Sequence, residues 1–252
     1  HFYMDDLKAK ALLVEEGSTS AAIAAAMRLG IPVLTASPQR EAGGFSISGD
    51  SVAAPSVQGY AEGGDVALVL HTSGTTSRPK IVPLTHTNLL ASANNIRNTL
   101  QLTERDRCLN IMPLFHIHGL IAGVLTPLSA GSMVFCTPGF NALKFFAWMD
   151  EARPTWFTAV PTMHQTILSR ASKSADVIAR HPLRFIRSSS SSMPPQVIRE
   201  MEEVFGAPLI ESYGMTEASP ITHSELVGCK RPGSVGQALV DTECRIVDPV
   251  TG

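Results

Sequence analysis

Between Leu70 and Lys80 the chain reads Leu-His-Thr-Ser-Gly-Thr-Thr-Ser-Arg-Pro-Lys, directly after an apolar run from Val66 to Leu70 that predicts a buried strand. Hydroxyl side chains at Thr72, Ser73, Thr75, Thr76 and Ser77, a Gly74 free to adopt φ > 0, and Lys80 after the rigid Pro79 crowd hydroxyl donors, backbone N–H donors and one positive charge around a small volume. A polyphosphate uses all of them. No G-x-x-x-x-G-K-[ST] can be read here, which disfavours a P-loop NTPase. On composition alone the stretch also fits a polar turn between two strands. Three later stretches carry similar potential. Met112-Pro113-Leu114-Phe115-His116-Ile117-His118-Gly119 sets two imidazoles in an apolar run, where a His is more often structural than catalytic. Ser188 to Ser192 is a run of small hydroxyls, open to reading as a flexible loop. Glu211-Ser212-Tyr213-Gly214-Met215-Thr216-Glu217 ends in a hydroxyl and a carboxylate, which by residue type alone equally make a helix cap with a first-turn acid.

Taken in order, these four stretches resemble the adenylate-forming (acyl-activating) enzymes, whose signature loop runs [ST]-S-G-[TS]-T-G-x-P-K, with Ser77 here where Gly is usual. The similarity covers nearly the whole chain, and the chain covers roughly half of such an enzyme, so a piece of its large N-terminal domain is expected, incomplete and inactive alone. The resemblance implies that Thr72, Ser73, Gly74, Thr75, Thr76, Ser77 and Lys80 hold the phosphates of ATP. It implies that Ser189, Ser190 and Ser191 lie along the adenine, where only small side chains let a planar base approach the main chain. It implies that Glu211, Ser212, Tyr213, Gly214 and Met215 complete the nucleotide site with Tyr213 against the base, that Thr216 meets the α-phosphate, and that Glu217 holds Mg²⁺. Lys80, His116, Thr216 and Glu217 form the implied catalytic set, His116 lining the acyl pocket, His118 structural, and His223 a carboxylate contact near the site.

The implied reaction is attack of a carboxylate on the ATP α-phosphate to give an acyl-adenylate and pyrophosphate, followed by thioester formation with coenzyme A. The motifs most resemble the oxalate–CoA ligase and short-chain acyl-CoA synthetase branch. They depart from it at Ile81, where Gly usually follows the loop Lys, and at Pro220, where that branch places a His. Two alternatives remain: an adenylation domain delivering to a carrier-protein thiol, and a nucleotide-binding fragment without catalysis. Against the former, Trp156-Phe157-Thr158-Ala159-Val160 holds no acid to capture an amino group.

At 252 residues, with 44% apolar and 17% charged residues, the chain can bury a sizeable core. A net charge of -2 without basic runs argues against nucleic acid as a partner. Cys108, Cys136, Cys229 and Cys244 form no C-x-x-C, so reduced thiols in a cytosol are expected. The longest apolar stretch, Ile111 to Leu128, is interrupted by His116, His118 and two prolines, so no membrane span is expected. Apolar surface left open in a partial domain leads us to expect self-association.

Strand and helix signals alternate. Ala11–Val14, Ser20–Leu29 closed by Gly30, and Ile31–Leu34 read as one βαβ unit. Residues 37–64, rich in Gly, Ser, Ala and Pro, read as a surface connection. After the Lys80 loop come a strand at Ile81–Leu84 and a helix capped by Thr85 or Thr87, its face carrying Leu89, Leu90, Ala93, Ile96 and Leu100. Later helices are expected at 120–130, 143–152, after Pro161 and after Pro194-Pro195, separated by strands near 108–112, 132–136, 156–160, 183–188 and 209–211. The pattern predicts an α/β fold with parallel sheets covered by helices. It divides the chain into a partial α/β lobe with its connection (1–64), an ATP-binding lobe (65–240) and the start of a following β subdomain (241–252).

Overall fold

Ser20 supplies the cap that starts the first long helix, its Oγ accepting the Ala22 N–H at 3.2 Å. The computed structural model describes residues 1–41, 43–49, 59–72, 79–223, 234–240, 242–248 and 251. They fall into two units, His1–Tyr60 and Ala61–Gly252. In the first, α1 (Phe2–Asp6) is followed by β1 (Leu12–Glu15), α2 (Ala21–Arg28) and β2 (Val33–Pro38), with β1 and β2 parallel as the βαβ pattern predicts. The expected connection over 37–64 contains a third strand, β3 (Phe45–Gly49), antiparallel to β2. Its residues are all exposed, so main-chain pairing rather than burial makes this strand. At its end the Gly49 backbone runs so close to Val33 that an added Cβ would lie 2.5 Å from the Val33 carbonyl oxygen, at a φ of +129°.

In the second unit β4 (Val66–Thr72) and β5 (Lys80–Thr85) form an antiparallel hairpin that sets Thr72 opposite Lys80. Thr85 then caps α3 (His86–Thr99): its hydroxyl accepts the Asn88 N–H at 3.2 Å while Asn88 Oδ1 accepts the Thr85 N–H at 3.0 Å. Ala93, Ile96 and Leu100 are buried as their spacing predicts, whereas Leu90 faces outward. There follow β6 (Arg107–Asn110), a π-helix (His118–Leu125) running into α4 (Thr126–Ser129), β7 (Met133–Cys136), α5 (Phe145–Ala152) and β8 (Trp156–Ala159). Next are α6 (Pro161–Ala171), a 3₁₀ turn at Ser172–Ser174, α7 (Ala175–Arg180), β9 (Phe185–Ser188) and α8 (Pro195–Phe205). Pro161 and Pro195 take the first helical position, where a missing N–H costs nothing. The chain continues through β10 (Leu209–Met215), β11 (Ala218–His223) and β12 (Gln237–Ala238).

The sheet order is β12-β11-β10-β9-β8-β6-β7. Pairs from β7 to β10 are parallel, as expected, and β11 and β12 add an antiparallel margin. Strand alternation sends Leu109, Phe157, Ile186 and Leu209 to a core with Phe145, Met149, Ile167 and Phe205. Cys108, Trp156, Phe185 and Ile210 go to a second core with Ile96, Leu100 and Ile121. Both faces are therefore covered, which explains why these strands read as apolar runs. The helix expected at 120–130 begins instead as the π-helix, two residues earlier, and becomes α-helical only at Thr126. Among the described residues no helix is long and apolar enough to cross a membrane.

Candidate active site

The carboxyl ends of β6, β9 and β10 and the mouth of the β4–β5 hairpin open on one cavity of about 330 Å³. This is the crevice where open parallel sheets hold ligands. Thr72 and Lys80 line it from the hairpin, His116 and His118 from the segment after β6. Ser189 and Ser190 enter after β9, Gly214 and Met215 from the end of β10, and Thr216 and Glu217 from the turn between β10 and β11. Three of the four motifs thus meet by their own residues and the first by its ends, since Ser73, Gly74, Thr75, Thr76 and Ser77 lie outside the described residues.

Ser191, Glu211, Ser212 and Tyr213 do not line the cavity. Ser191 is exposed beside it, Glu211 and Ser212 are buried within β10, and Tyr213 is half exposed. Ser212 nevertheless serves the site, since its carbonyl accepts the Ser189 hydroxyl at 3.1 Å and so ties the serine turn to β10. Ser190 holds a left-handed backbone at φ 74°, costly for a residue with a Cβ. Thr216 and Glu217 form a turn joining two antiparallel strands, not the start of a helix.

His118 departs most from its sequence-based assignment. It is buried, yet it lines the cavity, and its ring is bonded on both nitrogens. Arg187, unremarked as a candidate in the sequence, explains how. Arg187 Nη1 lies 3.1 Å from His118 Nε2, and Nη2 lies 3.3 Å from His223 Nε2. A guanidinium only donates, so both Nε2 atoms accept and both rings are neutral with the proton on Nδ1. Thr158 Oγ1, 2.6 Å from His118 Nε2, accepts from Arg187 Nη1 at 3.2 Å, so its hydroxyl and the guanidinium share the single Nε2 lone pair. His118 Nδ1–H donates to Ser190 Oγ at 3.2 Å, leaving the Ser190 hydroxyl proton free to point elsewhere. His116 Nδ1 accepts the His118 backbone N–H at 3.3 Å, which orients its ring at the exposed edge.

Charge dominates this floor. Arg187 is 2% exposed, makes no ion pair among the described residues, and its Nε has no hydrogen-bond partner there. Burial pulls its pKa down to about 10, which still leaves a cation at neutral pH. Burial, with Arg187 adding repulsion, holds His118 and His223 well below the usual imidazole range. Burial also brings His164, which contacts the Arg187 carbonyl at 3.2 Å, down to about 4. A buried cation with no carboxylate, facing a cavity, is costly unless an anion arrives. The sequence signal for it was an Arg inside Phe185-Ile186-Arg187-Ser188, a strand covered on both faces.

Residues 1–252 match the family described as AMP-binding enzyme. The chain belongs to this family. Among curated relatives of this AMP-binding enzyme, "Probable CoA ligase CCL9" of Humulus lupulus is 42% identical over 98% of the chain, and the oxalate–CoA ligase of Arabidopsis thaliana is 42% identical over 94%. The chain spans 48% of the length of each. Among solved structures, apo MatB from Rhodopseudomonas palustris matches with a TM-score of 0.80 at 28% identity, covering 100% of this chain and 49% of that one. In an AMP-binding enzyme the donor set found here fits a nucleotide: an ammonium at Lys80 with hydroxyls at Thr72 and Thr216 suits phosphates. No group of three or more His, Cys, Asp or Glu among the described residues could hold a metal ion. A single exposed carboxylate at Glu217 fits Mg²⁺, which commonly takes one or two carboxylates and completes its shell with substrate phosphates and water.

Proposed function

We propose that the protein is the nucleotide-binding half of an AMP-forming acid–CoA ligase that activates a small carboxylic acid bearing a second anionic group. The observation that carries this is Arg187, a buried, unpaired cation on the floor of the cavity that Lys80, Thr216 and Glu217 also line. In this reading Lys80, Thr72 and the loop 73–77 hold the ATP phosphates and Ser189 to Ser191 lie along the adenine. Glu211 to Met215 support the nucleotide from β10, Thr216 meets the α-phosphate, and Glu217 holds Mg²⁺. His116 borders the acyl group. Arg187, with the Ser190 hydroxyl as a neutral donor beside it and His118 holding that hydroxyl's oxygen, neutralises the distal charge of the acid while its other carboxylate attacks the α-phosphate. The oxygen–phosphorus bond forms as pyrophosphate leaves, and the thiol of coenzyme A then displaces AMP from the acyl carbon. Positioning and charge neutralisation supply the rate.

A long acyl chain would bring no charge to balance Arg187, and the oxalate–CoA ligase relative acts by name on an acid with two carboxylates. We assign the reaction to the cytosol, a setting supported by the free thiols of Cys108, Cys136 and Cys244. Residues 1–64, 65–240 and 241–252 are assigned as a partial lobe, the ATP-binding lobe and the start of a β subdomain, a division supported by the separation into units at Tyr60 and Ala61. The test is pyrophosphate release by the complete protein over oxalate, malonate, acetate, octanoate and palmitate. Oxalate or malonate is expected to be best; palmitate as the best substrate would refute the proposal.

A further inference from the structure

Asn110 closes β6 and is 1% exposed, yet it does not line the cavity. Its amide spans the segment that does. Oδ1 accepts the Met112 N–H at 3.1 Å and Nδ2 donates to the Gly119 carbonyl at 3.3 Å, so one side chain joins both ends of the loop bearing His116 and His118. The Asn110 carbonyl accepts the Thr137 N–H at 3.1 Å, anchoring this staple to the chain leaving β7. From the other side Gly123 of the π-helix presses on the amide, and a Cβ added there would lie 2.5 Å from Oδ1 and 2.6 Å from Cγ. The loop itself is tight, since a Cβ at Gly119 would lie 2.3 Å from the Pro113 carbonyl oxygen.

Register shows what the staple aligns. Asn110 sits opposite Thr158, and Thr158 opposite Arg187, so the three form a row across adjacent parallel strands on one face of the sheet. His118 lands on the Thr158 and Arg187 end of that row, while Asn110 holds the loop at the other. Only a short amide fits this task. Asp has the acceptor without the donor, Gln places both too far out, and an apolar residue would leave the Met112 N–H and Gly119 C=O unsatisfied in the interior.

We propose that Asn110, clamped by Gly123, is a positioning residue for the acid subsite: by tying Met112 to Gly119 it sets where the His118 ring meets Thr158 and Arg187. This rests on reading the cavity as an acid-binding site, so one arm of the test is independent of turnover. The first readout is the ¹⁵N signature of the His118 imidazole in the ligand-free protein, which reports whether the proton sits on Nδ1. The second, in the complete protein, is the KM for oxalate or malonate against the KM for ATP. In Asn110→Asp the Met112 bond is kept and the Gly119 bond lost; in Gly123→Ala the amide is intact and pushed.

Both variants are expected to lose the single Nδ1–H form of His118. Both should lower kcat/KM for the acid roughly 10- to 100-fold, the scale of a misplacement of about 1 Å. The KM for ATP should stay within about twofold. Should Asn110→Asp fail to fold, Gly123→Ala decides. The pair Asn110→Ser with Gly123→Ala removes the clash but cannot reach Gly119, so it should regain the stability that the clash alone costs in Gly123→Ala, short of the parent, without recovering the His118 signature. Recovery of both, an unchanged signature in folded single variants, or acid and ATP KM rising together would overturn the proposal. An altered signature with no acid turnover in any variant or in the parent would uphold Asn110 and reject the ligase reading.

Discussion

Replacing Arg187 by Met should leave the stability of the ligand-free protein nearly unchanged and make its chemistry worse. The guanidinium is fully buried without a carboxylate, and burial moves its pKa from 12.5 to about 10. At about 1.4 kcal/mol per pKa unit, holding it charged in the folded state costs roughly 3 kcal/mol at neutral pH. Against this stand its three charge-assisted bonds to His118, Thr158 and His223, worth about 1.5 kcal/mol each at the low end of such bonds, which together offset that cost. Met fills a similar volume, and Thr158 can still donate to His118. The net expectation is a stability change within about 2 kcal/mol of zero, or a Tm shift of no more than a few degrees, since about 1 kcal/mol shifts a domain of this size by roughly 2–4 °C. Acid binding should move the other way. Losing a charge-assisted contact of about 1.5–3 kcal/mol raises the KM for oxalate or malonate by roughly 10- to 100-fold, with the KM for ATP little changed. Differential scanning calorimetry and pyrophosphate-release kinetics on the same preparations read both. A variant destabilised by several kcal/mol with an unaltered acid KM would refute the reasoning, because Arg187 would then be structural.

Lys80→Ala should weaken binding of a fluorescent ATP analogue while leaving the thermal transition in place, because the exposed side chain adds charge rather than packing; equal affinity would remove Lys80 from the phosphate site. Mg²⁺ should tighten nucleotide binding through Glu217, and Glu217→Gln should abolish most of that gain in titration calorimetry; equal enhancement in both proteins would leave Glu217 a plain turn residue. Stability should fall on acidification. The unfolded His164 imidazole takes a proton near 6.5 whereas the folded one resists to about 4, so stability is complete above about pH 6.5 and declines as pH drops, by roughly 3 kcal/mol at pH 4 from this group alone. His118 and His223 act in the same direction, and a urea midpoint unchanged from about pH 7 to 5 would count against the buried neutral cluster. The exposed Leu114, Phe115, Tyr213 and Met215 make concentration-dependent association the expected behaviour, read by sedimentation velocity; one monomeric species at all loadings would contradict it.

What was legible in the sequence follows from period and punctuation. The strands β6, β8, β9 and β10 announced themselves as short apolar runs because both sheet faces are covered, and the helices after Pro161 and Pro194-Pro195 because Pro at a helix start has one meaning. β3 was missed because its side chains are all exposed, so no burial pattern marked it and only the pairing with β2 defines it. The π-helix was read as an α-helix because an apolar run records that a segment is buried and not how many residues it spends per turn. Within it Gly119 and Gly123 pack so closely on Pro113 and Asn110 that neither position has room for a Cβ, a tertiary constraint the apolar run does not record.

The site divides along a different line. Thr72, Lys80, His116, Ser189, Ser190, Thr216 and Glu217 line one cavity, and each belongs to a local stretch whose residue types fit an anion or a metal. Arg187 precedes such a stretch without being part of it, and His118 shares one with His116 but reads there as structural. Their meaning lies in each other: a guanidinium on β9 fixes the tautomer of a ring 69 residues earlier, and Thr158 on the intervening strand completes the contact. A lone His in an apolar run is rightly read as structural until the partner that keeps it neutral is known. The partner's own oddity, a charge in a strand covered on both faces, is visible in one sequence but says only that something must balance it. The fold adds that this charge lines the same cavity as Lys80, Thr216 and Glu217, and the proposed acid specificity follows from Arg187 whatever the four local motifs bind.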